Sequence, residues 1–422
     1  MVKEPIPPLD EKVFEAVKAL KEEPVIAQAL QKAFDETDQA MKEQIELCEI
    51  PSPTFEEAER AKEIARRMQQ YGLKDVTIDE IGNVVGFRPG KGQGPVLAMG
   101  AHMDTVFPAG TDVTVRQEGD RYFAPGIGDN CSGLRALLHV VRLFNELHIE
   151  TEGDIYFVGT VGEEGNGDTR GSKFFNAHHQ VDGFIAIDNT DVGRILKGAI
   201  GSHRWRFSID GKGGHSYGSF GDTPSAIHAM CLAGARVAKL KTPAEPKTTF
   251  TIGMIKGGQS VNTIAPHCEV DVDIRSLDNN LLLETEAAIM KCFEEGVAEE
   301  NANWPVTEEA KILKLTKTQI GNRPAGIRPA DCPVLQTARS AQKLLGIELT
   351  NYGYSSTDAN APVSQGVPAT CLSAGGKQIN THTVKEYFDK VDIHLGPQLI
   401  FLTAAALTGA CGHKALLPIR EK

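Results

Sequence analysis

The sequence predicts an α/β protein: a mostly parallel sheet flanked by helices, with a smaller ferredoxin-like βαββαβ domain inserted into it. Three observations carry this prediction. Short, continuous apolar runs such as PVLAMGAH, DIYFVGTV and GFIAID alternate with longer helical stretches, as strands buried on both faces do. From His203 the pattern becomes amphipathic, in the order β-α-β-β-α-β, and after about residue 320 the first style returns. At 422 residues the chain also exceeds what one hydrophobic core usually serves.

Taken in order, EKVFEAVKAL and AERAKEIARRMQQYG have helical apolar spacing, the second closed by Gly72. The strand PVLAMGAH, the helix SGLRALLHVVRLFNEL, the strand DIYFVGTV, the helix GSKFFNAHH and the strand GFIAID follow. In the inserted part, HRWRFSID places Trp205, Phe207 and Ile209 on one strand face, and SAIHAMCLAGARVAKL follows as a helix after Pro224. TTFTIGMIKGG and HCEVDVDIR are the next strands, with Val270, Val272 and Ile274 alternating. The helix NLLLETEAAIMKCFEEGVAEE and the strand KILKLTKTQ complete the unit. A helix around Ala338 to Leu345, a strand in PATCLSAG and a last helix in GPQLIFLTAAALTGAC close the chain. The expected division is 1–200 and 321–422 for the larger domain and 201–320 for the inserted one.

Composition narrows the function classes. With 41% hydrophobic and 24% charged residues the chain reads as an ordinary globular protein. A net charge of -12 and the lack of a basic stripe argue against nucleic acid or an anionic membrane surface as partner. No stretch reaches the roughly 18 apolar residues of a membrane span, and the amino terminus lacks the apolar core of a signal peptide. The expected location is the cytoplasm. Eight scattered cysteines with no C-x-x-C pair are expected to be reduced and mostly buried.

In open α/β sheets, ligands bind where strands end, so polar residues there carry more weight than polar residues on helix faces. Four such places stand out: His102 and Asp104 in GAHMDTVFP, Asp129 in APGIGDNCSGL, Glu163 and Glu164 after DIYFVGTVG, and Asp188 after GFIAI. His382 in NTHTVKEYF is a fifth. Each alone has a plain reading: a hydrogen-bonded pair, a helix cap, a solvated acidic face, a turn residue, a surface His. Together, two His and three carboxylates are the ligand mix for a pair of divalent ions, one carboxylate bridging. Glu163 is then left to take a proton from metal-bound water, whose pKa falls from about 15.7 to about 7 on zinc.

These motifs, with the late STDAN and NTH segments and GKGGHS in the insert, resemble in order the co-catalytic zinc exopeptidase family that includes carboxypeptidase G, peptidase T, aminoacylase and succinyl-diaminopimelate desuccinylase. The resemblance implies that His102, Asp129 and Asp188 hold one metal and that Glu164, His382 and the same Asp129 hold the other. Both ions would be zinc, with manganese or cobalt as alternatives. Asp104 would orient the His102 imidazole, Glu163 would be general base and then proton donor, and Asp129-Asn130 is a candidate cis peptide. The inserted domain would serve as lid and dimer surface, with His215 reaching the partner subunit's site to stabilise an oxyanion. Asn262, Arg275 and Arg323 would hold substrate polar groups, Asp358 would have a structural or substrate-positioning role near the site, and Gly375 with Gly376 would let backbone approach a ligand.

The implied reaction is hydrolysis of an amide bond in a small substrate. An Asp at position 188, together with STDAN and NRPAG, resembles the peptidase T branch and points to an aminopeptidase acting on di- or tripeptides. The alternatives are a non-peptide deacylase, amidohydrolase or aminohydrolase with the same metals, and, last, a non-catalytic metal-binding scaffold. A serine hydrolase is not expected, for want of a nucleophile elbow.

Overall fold

The computed structural model describes residues 6–421 apart from Gln93 and Thr307. The chain forms two compact units, one comprising the chain up to Ala199 and from Ile327 onward, the other Ile200–Gly326. The insert extends past residue 320 because its last strand runs on to Arg323. Beyond it, the Asn279 side chain accepts from the Ala325 N–H and donates to the Ala325 carbonyl.

The larger unit opens with helices α1 (Glu11–Lys21), α2 (Pro24–Asp35), α3 (Thr37–Cys48) and α4 (Ala58–Gln70). Asp10 caps α1 by accepting from the N–H groups of Lys12 and Val13, and Pro24 starts α2 at the position where a missing N–H costs nothing. Gly72, at φ +83°, ends α4 in a left-handed turn, as the sequence predicts. Strands β1 (Lys74–Ile78), β2 (Val84–Arg88) and β3 (Val96–His102) follow, then helix α5 (Cys131–Glu146), β4 (Asp154–Thr160), α6 (Arg170–His178) and β5 (Gly183–Ile187).

The smaller unit contains β6 (Gly201–Asp210), α7 (Ala226–Val237), β7 (Thr249–Gly257), β8 (His267–Ser276), α8 (Asn279–Ala302) and β9 (Lys314–Arg323). Its sheet order is β7-β8-β6-β9 with every pair antiparallel, which is the ferredoxin-like arrangement. Phe207 and Ile209 of β6 and Val270, Val272 and Ile274 of β8 are buried together, and Phe207 stacks on Phe293 of α8 at 3.9 Å. A two-residue ladder, Gly214–His215 against Thr263–Ile264, lies outside this sheet.

The chain then returns to the larger unit with α9 (Pro333–Leu344), β10 (Ala369–Leu372) and α10 (Leu395–Thr408). The central sheet has the order β1-β2-β4-β3-β5-β10. Its four inner and far strands are parallel, while β1 and β2 form an antiparallel edge. Every residue of β5 is buried, as is all of β3 after Val96, which is why these strands read as continuous apolar runs rather than alternations. A second, four-stranded antiparallel sheet joins Lys377–Ile379, Tyr387–Asp389, Arg121–Phe123 and Arg116–Glu118. That sheet draws the chain around residue 382 against the chain leading into α5.

Helix α5 is buried almost throughout, yet carries Arg135, His139 and Arg142. Arg135 donates to the carbonyls of Ile393 and Ala374 and to the Gln44 side chain, so its charge sits among acceptors from three segments. His139 and Arg142 both lie 3.2 Å from Glu36. Burial pulls the His139 imidazole down to about 4, Arg142 adds to this, and the hydrogen bond to Glu36 opposes it. The unfolded chain protonates His139 near its ordinary value, so the unfolded state binds more protons between the two. Stability from this group is therefore complete above about pH 6.5 and is lost as pH falls toward about 4, by roughly 3 kcal/mol. Denaturant midpoints measured at pH 7 and pH 4.5 should differ less in His139→Gln than in the wild-type chain; equal differences would contradict this account.

Candidate active site

The parallel strands deliver their polar residues to one edge of the sheet. His102 ends β3, Glu163 and Glu164 follow β4, and Asp188 follows β5, its N–H held by the Leu372 carbonyl of β10. Asp129 stands just before α5, in a glycine-rich turn, with a cis peptide to Asn130. The Asn130 side chain caps α5 by accepting from Gly133 and donates to the Ile187 carbonyl, tying this turn to the end of β5.

The side chains converge. His102 Nε2 lies 3.2 Å from Asp129 Oδ1, and His382 Nε2 lies 3.1 Å from Asp129 Oδ2 and 2.8 Å from Glu164 Oε1. Donor atoms of His102, Asp129 and Asp188 fall within 4.8 Å of one another, as do those of Asp129, Glu164 and His382 and those of His102, Glu163 and Glu164. Two of these triads share Asp129. Two imidazoles and three carboxylates around one shared carboxylate are a nitrogen and oxygen donor set that fits a pair of divalent ions.

Asp104 departs from its expected contact. His102 Nδ1 donates to the backbone carbonyl of Asp104 at 3.1 Å, while its distance to the carboxylate is 3.5 Å. The carboxylate instead accepts the N–H of Glu163 at 2.9 Å, the N–H of Glu164 at 3.0 Å and the Thr54 hydroxyl at 2.9 Å. A fully buried carboxylate is satisfied by these three donors, and it fixes the backbone carrying both glutamates. Asp104 thus orients the Glu163–Glu164 turn with its side chain and His102 with its main chain.

Glu386 was not anticipated from the sequence. It is buried and accepts the N–H groups of Gly126, Gly128 and Asp129, cradling the turn that presents Asp129. Burial, reinforced by the charge of Asp129, pushes its carboxyl up to about 7 against those three hydrogen bonds. Nothing in the sequence announces it, because its role exists only once Tyr387–Asp389 pairs with Arg121–Phe123.

Asp358 is buried, accepts from the Thr160 hydroxyl at the end of β4, and its carbonyl accepts from Ser172. Gly375 has φ +78°, and a Cβ there would lie 3.0 Å from the Asp392 carbonyl, so its close approach is to the protein's own backbone. A Cβ on Gly376 would meet the Phe388 ring at 2.1 Å. In the smaller unit, His215 is exposed, with Nδ1 accepting the N–H groups of Tyr217 and Gly218, and Asn262 is adjacent through its carbonyl, which accepts the Ser216 N–H. Arg275 pairs with Asp273 at 2.7 Å, and Arg323 is buried at the end of β9. Residues 214–218, GHSYG, do have the G-x-S-x-G spacing, contrary to expectation, but a two-residue strand leads there into a turn rather than a helix, which is not the geometry of a nucleophile elbow.

The electrostatics tie protons to metal uptake. Burial disfavours charge on His102, yet the carboxylates of Asp104 and Asp129 beside it, at 3.5 and 3.2 Å, outweigh this and hold the imidazole well above its ordinary range. Hydrogen bonds to Asp129 and Glu164 raise His382 to about 10. Burial and the charge of Asp129 push Asp188 up to about 6. A metal takes neutral imidazole and ionised carboxylate, so these protons must leave when it binds. Metal uptake at pH 7 should release protons, and apparent affinity should rise with pH until about 10, by about tenfold per pH unit for each proton displaced. Calorimetry in buffers of differing ionisation heat checks this; uptake without proton release would contradict it.

Comparison with known proteins follows the same lines. The family model described as "Peptidase family M20/M25/M40" matches residues 98–406. The chain is 28% identical over 362 residues to the uncharacterized protein YqjE of Bacillus subtilis, spanning 82% of this chain and 92% of that one. It is 25% identical to carboxypeptidase G2 of a Pseudomonas species, over 76% of this chain and 75% of that protein. Among solved structures it is similar to a tripeptidase from Staphylococcus aureus, with a TM-score of 0.71, 25% identity and coverage of 87% of this chain and 97% of that one. Among the described residues no helix is long and apolar enough to cross a membrane.

Proposed function

Because the chain belongs to peptidase family M20/M25/M40, hydrolases acting on carbon–nitrogen bonds, we propose that it is a metal-dependent aminopeptidase acting on di- or tripeptides. The observation that carries this reading is the sharing of Asp129 between two donor triads, with Glu163 in a third beside them. The tripeptidase likeness supports a short peptide as substrate.

We assign His102, Asp129 and Asp188 to one ion and Asp129, Glu164 and His382 to the other, with zinc in both. Zinc held there would polarise the scissile carbonyl and lower the pKa of water from about 15.7 to about 7. Glu163 handles the protons. Its carboxylate takes one from the attacking water and returns it to the leaving amine, and its position is set by the Asp104 carboxylate through its own N–H. His215, supplied by a second copy of the chain, is assigned to the oxyanion, and Asn262, Arg275 and Arg323 to polar groups of the substrate; these four rest on the family resemblance. Asp358 and Gly375 are assigned supporting roles beside the substrate, and that assignment too rests on the family resemblance.

Glu163→Gln should keep its metal and lose a factor of about 10² to 10⁴ in kcat. The readout is metal content beside turnover of a panel of dipeptides, tripeptides and N-acetyl amino acids. Turnover of peptides with a free amino end supports the reading. Turnover confined to the N-acetyl amino acids replaces it with a deacylase, and full activity in Glu163→Gln removes Glu163 from the mechanism.

We further propose that the protein is a homodimer joined through the smaller unit. Strand β7 is an edge of its sheet, paired on one side only, and exposes Met254 and Ile255. An exposed apolar edge strand is a ready surface for pairing with another copy. Ile255→Lys should shift the molecular mass measured by light scattering from dimer to monomer; an unchanged mass would place the contact elsewhere. The free cysteines, eight among the described residues, suit the reducing cytoplasm.

A further inference from the structure

Phe55 follows Thr54, whose hydroxyl donates to the carboxylate of Asp104. It is an aromatic residue at φ +78°, in the left-handed region that suits glycine or asparagine, and it is 59% exposed. Strain of this kind persists only where the surroundings over-determine it, and it concentrates at functional sites. Leaving a phenyl ring in water also forgoes the gain of burying it, so the position costs the fold twice.

The surroundings do over-determine it. On its amino side, the Thr54 hydroxyl donates to Asp104 Oδ2, and Pro53 bridges to Thr105. On its carboxyl side, buried Glu57 accepts the Gly162 N–H at 3.0 Å and receives Arg170 on both oxygens at 2.9 Å. The Arg170 guanidinium lies 5.2 Å from the centre of the Phe55 ring. The same Arg170 packs so closely on Gly162 that a Cβ there would lie 2.5 Å from its Nε. Phe55 is thus one side chain removed from the residue preceding Glu163, with one ring face on a guanidinium and more than half of the side chain open. Two further apolar side chains, Val106 and Val384, are exposed next to the segments that carry Asp104 and His382.

We propose that Phe55 is a specificity-determining residue that receives an apolar side chain of the substrate at the metal centre. The inference rests on the metal-centre reading above and deepens it. An aromatic ring fixed by backbone strain and by a cation beneath it offers rigid apolar area at little entropic cost to the ligand. A substrate with a large aliphatic or aromatic side chain gains from that contact, whereas a glycyl substrate gains nothing.

The test is binding of leucine hydroxamate and glycine hydroxamate to the zinc-loaded protein by titration calorimetry. Hydroxamates report on the metal without needing turnover. Phe55→Asn is the informative variant, since asparagine accepts the same backbone conformation, and Phe55→Tyr keeps the aromatic ring. Phe55→Asn is expected to weaken leucine hydroxamate about tenfold relative to glycine hydroxamate, and Phe55→Tyr to preserve the wild-type ratio. An equal effect on both hydroxamates, or none, overturns the role of Phe55 while leaving the metal centre standing. If the wild-type protein binds neither hydroxamate, the metal-centre reading falls and this inference falls with it.

Discussion

One carboxylate facing two imidazoles governs this structure. Asp129 offers one oxygen to His102 and the other to His382, side chains that come from strand β3 and from a hairpin 280 positions later. A largely buried carboxylate between two such groups is tolerable only when opposite charge or a metal compensates it. Each neighbouring element serves that requirement. Asn130 ties the turn to β5, Glu386 gathers three backbone N–H groups of the 126–129 segment, and the small antiparallel sheet brings the hairpin into range.

The second organising feature is the distribution of hydrogen-bond acceptors behind the donor set. Asp104 spends its carboxylate on the backbone of Glu163 and Glu164 and on Thr54, so it sets the positions of both glutamates together. Glu57 repeats this device one residue earlier, on Gly162, and carries Arg170 with it. A side chain held through its backbone by a satisfied buried charge has little freedom to drift, which is the positioning that the proton transfer proposed for Glu163 needs. The glutamate turn and the Thr54–Glu57 segment are therefore tied together through Asp104 and Glu57, and the Asp129 turn is tied to the end of β5.

Much of this edge is legible in the sequence. His102, Glu163, Glu164 and Asp188 declare themselves because each follows an apolar run long enough to be a parallel strand, and strand ends in such sheets lie side by side. His382 sits on no such strand; it is a candidate by residue type alone, and the resemblance to a family motif adds its assignment to a metal. Asp104 is legible as a member of the site but not in its contacts, since i and i+2 geometry suggests the imidazole while the actual donors come from 59 and 60 residues away. Gly375 and Gly376 are legible as glycines with a purpose, yet that purpose is packing against residues 388 and 392. Glu386, Thr54 and Phe55 are silent.

The sequence by itself determined the fold class, the ferredoxin-like insert and the chemical kind of the donor set, because these follow from local periodicity and from residue types at strand ends. Apolar alternation and strand length are properties of neighbouring residues, and hydrophobic burial acts on them wherever the chain goes. Only the tertiary structure decided which acceptors hold the glutamate turn and why an aromatic residue endures a left-handed backbone at residue 55. Those outcomes depend on hydrogen bonds between segments tens to hundreds of residues apart. A directional contact of about 3 Å has no trace in local sequence until packing brings its partners together.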